Sequence, residues 1–314
     1  MKWFEKAVFY QIYTFGFCGA PLDNDNIEKN RIKKVIDWIQ HFKNTGIDAI
    51  YFCPIFDSDR HGYDIRDYRK VDCRIGTNEE FKEVCNKLKE NNISIVLDAV
   101  FNHTGKQFWA FQDVKINREN SKYKDWFYID FSRNSADNLG FYYEGWEGHF
   151  ELVKLNLKNP EVKAYLIDSV KMWMHEFNID GLRLDVAYML DTDFMIDLRK
   201  AVKSIREDFF LLGETIHGDY NKIVNDKMLD SSTNYQAYKG LFSSFNDKNF
   251  FEIAYTLNIH FGQNGSYKGK HLFSFADNHD VNRLASVLKD KNHLPLVYAI
   301  LFSMPGIPCI YYGS

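Results

Sequence analysis

Short, nearly continuous apolar runs alternate along this chain with longer stretches whose apolar residues recur every three or four positions. The runs lie at about 7–13, 47–53, 93–98, 179–185, 209–214, 228–233, 271–277 and 307–312, and runs of that length read as strands buried on both faces. The longer stretches include Arg31–Phe42, Asn78–Asn91, Pro160–Phe177, Asp193–Ile205 and His293–Met304, each able to lay one helical face on a sheet. Strands separated by amphipathic helices imply a parallel sheet with helical crossovers. Eight of them predict an α/β fold, the TIM (β/α)8 barrel.

Two places break the rhythm. From Asn102 to about Asn159 there is no βαβ unit, only a segment rich in aromatic and polar residues that includes Trp109, Tyr123, Trp126, Tyr143 and Trp146. Segments that long inside compact domains are usually functional or form small subdomains, so this one is expected to wall a cleft above the third strand. The expected organisation is therefore 1–103 for the first part of the barrel, 104–158 for an inserted subdomain, and 159–314 for the rest through the eighth strand. The second break is the end, where Ile307–Ser314 reads as the last strand with no helix after it. Apolar sheet surface would then face water, so the chain is expected to be a fragment of a longer protein or to be covered there by a partner.

Composition narrows the partners. Net charge is −4 over 314 residues, which offers nucleic acid or an anionic membrane no electrostatic attraction. No apolar stretch reaches the roughly 20 residues needed to span a bilayer. Aromatic residues make up 17% of the chain, an excess that supplies flat faces for sugar rings as well as core filling. The five cysteines are scattered without C-x-x-C spacing, which excludes a disulfide framework or zinc site and favours a reducing compartment. The N-terminus is too polar for a signal peptide, and the expected location is cytoplasmic.

Four of the runs end in an acid: Asp98, Asp185, Glu214 and Asp280. The C-terminal ends of barrel strands converge on one mouth, so these carboxylates should meet there. Arg183 stands two residues before Asp185, and strand alternation points both into the mouth. Alternatively each acid could cap the helix that follows its strand.

Asp98-Ala-Val-Phe-Asn-His103, Gly181-Leu-Arg-Leu-Asp185, Gly213-Glu214 and Asn278-His-Asp280, in that order, resemble the motifs of the α-amylase family of glycoside hydrolases. Val8–Tyr13, His61-Gly-Tyr-Asp64 and Gly306–Gly313 extend the resemblance over the whole chain. It implies Asp185 as nucleophile, Glu214 as general acid and base, and Asp280 as the third carboxylate that binds sugar hydroxyls. It further implies His103 and His279 as hydrogen-bond donors to the sugar being cleaved, Tyr63 as a stacking ring supported by Asp64, and Asp98 as an anchor for Arg183. No cofactor is implied for the chemistry, while Asn102 matches a position that holds structural calcium in many members.

After Asp185 the chain reads Val186-Ala-Tyr-Met189, lacking the Lys-His pair of many starch-liquefying members. Leu212–His217 and Asp230–Tyr235 look closer to the cyclomaltodextrinase, neopullulanase and maltogenic amylase branch, without its N-terminal domain or the C-terminal β-sandwich. The resemblance implies a retaining hydrolase of α-1,4, and conceivably α-1,6, links in maltooligosaccharides or cyclodextrins. A transglycosylase of the same family and a non-catalytic glucan-binding relative stay open, as does oligomeric state.

Overall fold

The computed structural model describes residues 1–135 and 137–314. Its main sheet contains β1 (Phe9–Ile12), β2 (Ala49–Phe52), β3 (Ser94–Ala99), β4 (Gly181–Leu184), β5 (Phe210–Gly213), β6 (Ser231–Ser232), β7 (Phe273–Phe275) and β8 (Ile307–Tyr311). All neighbours pair in parallel, in the order β6-β5-β4-β3-β2-β1-β8-β7. A parallel bridge from Thr233 to Phe273 joins the two ends, so the sheet nearly closes into a barrel. Each strand overlaps its apolar run.

Period-two alternation sorts the side chains. Leu182 and Leu184 of β4 join the large core between sheet and helices, while Phe9, Tyr51, Val96, Phe210, Phe273 and Ile307 fill the barrel interior. This apolar plug is a floor. Polar residues one step further along the strands must stand above it, at the mouth.

The crossover helices begin where local chemistry starts them. Thr77 and Glu80 form a reciprocal capping box at the start of Asn78–Glu90, which buries Phe81, Val84, Cys85 and Leu88. Asn159 caps Pro160–Glu176 and Asp191 caps Thr192–Ile205. Two further helices, Tyr235–Asn246 and Phe251–Phe261, lie between β6 and β7 and were not anticipated. Phe251, Tyr255 and Ile259 are exposed, so apolar residues occur all round and no clean stripe announces the second of them.

Between β3 and β4 the chain forms a helix, Trp109–Asn117, and an antiparallel sheet in which His149–Lys154 pairs with His103–Gly105 and with Gly145–Trp146. Near the chain end, Pro308 and Ile310 of β8 are only half-buried, and Leu296 and Phe302 on the preceding helix are exposed. Among the described residues no helix is long and apolar enough to cross a membrane.

Candidate active site

Strand register sets the first contact. Arg183 and Asp98 are direct partners across β4 and β3, and Arg183 Nη1 lies 3.0 Å from Asp98 Oδ1. Two residues on, Asp185 returns to the same face, with Oδ1 2.7 Å from Nη1. Glu214, just past β5, brings Oε1 to 2.6 Å from Nη2. One guanidinium thus holds three carboxylates, and all four residues are buried. Its planar fork suits this, where a single ammonium would not.

Asp98 is saturated. Beyond Arg183 it accepts from the Tyr51 hydroxyl at 2.6 Å and the Tyr63 hydroxyl at 3.0 Å, contacts that make it an anchor for Arg183. Glu214 Oε2 accepts from the Val186 N–H at 2.9 Å. That contact depends on backbone strain: Val186 is β-branched yet sits at φ 40°, a region such residues rarely enter. None of Asp185, Glu214 or Asp280 caps a helix; Asp277 instead accepts from the Leu284 N–H at 2.9 Å.

Three buried carboxylates against one cation leave excess negative charge. Burial pushes the Asp185 carboxyl well above the usual carboxylate range, Arg183 pulls it down, and the Glu214 and Asp98 charges push it up again. Burial also opposes the Arg183 charge, but Asp98 and Glu214 outweigh it and keep the guanidinium protonated.

On the β7 side, Asp280 is half-exposed. Its Oδ2 lies 3.3 Å from the Tyr235 hydroxyl and 3.3 Å from His279 Nε2, and Asn278 donates to the same Tyr235 hydroxyl at 2.8 Å. The His279 ring stacks parallel to Tyr63 at 5.6 Å, its Nε2 against the Tyr63 hydroxyl, and its Nδ1 is 2.8 Å from Gln11 Nε2. His103 Nε2, 3.9 Å from Asp185 Oδ2, is buried without a hydrogen-bond partner. Burial lowers both histidines to about 3, so both are neutral at physiological pH.

These groups line a cleft of about 400 Å³ that includes Tyr63, His103, Trp146, His149, Asp185, Glu214 and Asp280. A second space of about 230 Å³ adds Tyr13 and His279 and shares His61, Tyr63 and Asp280 with it. Asp64, buried, accepts from the Gly62 N–H at 3.2 Å and so pins the loop that carries Tyr63. Trp146 stacks on His149 at 5.6 Å, and both lie on the antiparallel sheet after β3. All the expected site residues thus line the cleft or, like Asn102 against His103 Nδ1, brace the residues that do. Gln11, Tyr51, Tyr235 and Val186 were not singled out from sequence.

Asn102 is buried. Calcium takes six to eight oxygens; here the Asn102 side-chain amide nitrogen lies 3.2 Å from His103 Nδ1 and its backbone carbonyl accepts from the Leu155 N–H at 3.0 Å. The acidic groups that cluster elsewhere among the described residues do not include it. Of these, Asp57 and Asp72, which lie with Cys73, are bridged by the Asn24 amide, and the buried Arg74 guanidinium pairs with Asp72.

Residues 11–314 match the alpha-amylase family, described as "Alpha amylase, catalytic domain". The chain is similar to the maltogenic alpha-amylase of Bacillus acidopullulyticus, 33% identical over all of this chain and 56% of the relative. It is also 31% identical to the intracellular maltogenic amylase of Bacillus subtilis (strain 168), again over all of this chain and 56% of the relative. Among solved structures, the cyclic alpha-maltosyl-(1→6)-maltose hydrolase of Arthrobacter globiformis superposes with a TM-score of 0.88 at 32% identity, over all of this chain and 74% of that one. The chain spans little more than half the length of the curated relatives it matches. With eight parallel strands, the acid-bearing strand ends and a match over nearly its whole length, it belongs to the alpha-amylase family.

Proposed function

We propose that this chain carries the catalytic centre of a retaining glycoside hydrolase that cleaves α-1,4 glucosidic links of maltooligosaccharides or cyclodextrins, with α-1,6 links as a second target. The observation that carries it is the sharing of one guanidinium by Asp185 and Glu214. Retaining enzymes hold their two carboxyls roughly 5–5.5 Å apart, while inverting ones leave room for a water between them, and adjacent nitrogens of one Arg favour the closer spacing.

In this reading Asp185 attacks the anomeric carbon as Glu214 protonates the departing oxygen, leaving a covalent glycosyl ester. Glu214 then takes a proton from water, whose oxygen attacks the same carbon and releases Asp185. Arg183 orients Asp185, and Asp98 holds Arg183. His103 Nε2 is a buried donor with no protein partner, suited to a sugar hydroxyl. Asp280 and His279 take hydroxyls on the other side, and Tyr63, steadied by Asp64, offers the ring a face. Residues 104–158, which supply Trp146 and His149, act as an inserted subdomain that walls the cleft.

The apolar lining near Glu214, namely Leu152, Val186, Ile216 and Trp146, favours a sugar as acceptor over water and supports transglycosylation as a second reading. A cytoplasmic location fits the word "intracellular" in the name of the Bacillus subtilis relative. The test is reducing-sugar release from maltotriose and β-cyclodextrin by this chain, by Asp185→Ala and by Glu214→Ala. Release that both variants abolish is expected; release unchanged in Asp185→Ala sinks the proposal.

A further inference from the structure

Gln11 is buried inside β1, with its amide nitrogen 3.2 Å from Cys53 Sγ and 2.8 Å from His279 Nδ1. Nothing in the chemistry above uses it. Its importance follows from the other side of the His279 ring, where Nε2 faces the Tyr63 hydroxyl and the Asp280 carboxylate at 3.3 Å.

A neutral imidazole carries one N–H and one lone pair. If the lone pair were on Nε2, it would face the Asp280 carboxylate with no proton between them. The Tyr63 hydroxyl would then have to donate to Nε2, leaving its oxygen 3.0 Å from Asp98 Oδ2 with no proton on that line either. Both conflicts vanish when Nε2 carries the hydrogen: Nε2–H donates to Tyr63 Oη, whose own hydrogen goes to Asp98. Nδ1 is then an acceptor and needs a donor. Gln11 meets that need with one amide hydrogen and gives the other to the Cys53 sulfur.

We propose that Gln11 is a positioning residue that fixes the tautomer of His279, so that Nε2 always bears the hydrogen, held by the Tyr63 hydroxyl beside Asp280 until a bound sugar hydroxyl competes for it. The neutral state of the ring makes this possible, because an imidazolium would have no acceptor for Gln11 to engage. The inference rests on the glucan reading for what the donor serves, but not for which nitrogen bears the hydrogen. The chain of contacts also joins the two sides of the mouth: Gln11 sets His279, His279 sets Tyr63, and Tyr63 meets Asp98, which holds Arg183.

The test is 15N spectroscopy of the histidine side chains, with the His279 signals assigned by their loss in His279→Gln, in the unmodified chain, Gln11→Met and Gln11→Glu. The unmodified chain is expected to show His279 protonated at Nε2 alone. Gln11→Met keeps the shape and removes the donor; the ring should become a mixture of tautomers, and kcat/KM on maltotriose should fall roughly three- to tenfold, more in kcat than in KM. Gln11→Glu can only accept, so Nδ1 should gain a proton. If Gln11→Met proves too unstable to study, Gln11→Glu decides alone. An Nδ1–H ring in the unmodified chain, or ring signals unchanged in both variants, overturns the proposal. Absence of sugar release from any glucan by the unmodified chain would count against the hydrolase reading, while the spectra would still decide the role of Gln11.

Discussion

The two sides of the barrel mouth are held by different forces. Where β3, β4 and β5 end, Asp98, Arg183, Asp185 and Glu214 form a buried charge cluster whose ionic contacts run from 2.6 to 3.0 Å. Where β7 ends, Asp280 is half-exposed and leans on a tyrosine hydroxyl and a neutral imidazole at 3.3 Å. Buried charges strand their partners when one is removed, whereas neutral hydrogen bonds are worth about 1 kcal/mol each. In the proposed reaction the covalent step falls to the fixed side. Gripping hydroxyls that shift as the sugar ring distorts is better served by the softer one.

The comparison is broken most directly by removing the acids singly. Asp185→Asn should lower kcat about 10^4-fold or more, since no other oxygen is placed to attack. Glu214→Gln should cost about 10^2–10^4-fold and be rescued in part by substrates with good leaving groups. Asp280→Asn should cost about 10^2-fold, as one transition-state contact is weakened and none is created. Equal losses at Asp185 and Asp280, read from initial rates on maltotriose, would erase the distinction between the two sides.

Stability should divide the same way. Arg183→Met leaves three carboxylates without their cation and should cost about 3–5 kcal/mol, with the loss shrinking at low pH as Asp185, whose carboxyl burial already raises, takes up a proton. Tyr235→Phe, on the other side, removes one hydroxyl from Asp280 and should cost about 1 kcal/mol. Urea unfolding midpoints at two pH values check both. A loss for Arg183→Met no larger than that for Tyr235→Phe would mean the charge cluster contributes nothing net.

The fixed side was the more legible in sequence. Asp98, Asp185 and Glu214 close apolar runs, barrel geometry makes such ends converge, and period-two alternation places Arg183 with Asp185. The softer side depends on Tyr235 and Gln11, whose contacts cross from other strands and leave no local pattern. Val186 is less visible still, because nothing in a Val-Ala-Tyr sequence signals φ 40°; the surrounding packing imposes it. The strands were read because continuous apolar runs survive burial on both faces. The helices Tyr235–Asn246 and Phe251–Phe261 were missed because aromatic residues on the exposed side of the second blur its period. At Asn102 the family resemblance pointed to calcium, a property of oxygens brought together in space that no local pattern spells out.

A titration sharpens the comparison further. Burial raises the Asp185 carboxyl, so the proposed nucleophile is protonated and inert up to a higher pH than an ordinary Asp at about 3.9. The acid limb of kcat/KM should therefore lie above that value, and no limb should arise from His103 or His279, whose lowered values keep them neutral. The sign for folding follows: the folded state holds this proton more tightly than the unfolded chain. The group thus favours folding most below about pH 3.9, and this contribution is lost as pH rises through the folded value. Asp185→Asn should in consequence raise the melting temperature at neutral pH by about 2–4 °C, a gain that disappears in acid. An acid limb at or below pH 3.9 would show that Arg183 outweighs burial.

The smallest effect should come from the cleft wall. Trp146 lines the cleft, stacks on His149 and donates from Nε1 to Met189 Sδ at 3.3 Å. A platform of this kind binds a sugar equally well before and during bond cleavage, so it contributes to ground state and transition state alike. Trp146→Ala should raise KM on maltotriose roughly tenfold with kcat nearly unchanged, the mark of lost uniform binding. Trp146→Phe, which keeps an apolar face, should recover most of it. A fall in kcat with KM unchanged would instead place Trp146 among the groups that act on the reacting bond, and the wall would then belong to the fixed side of the mouth.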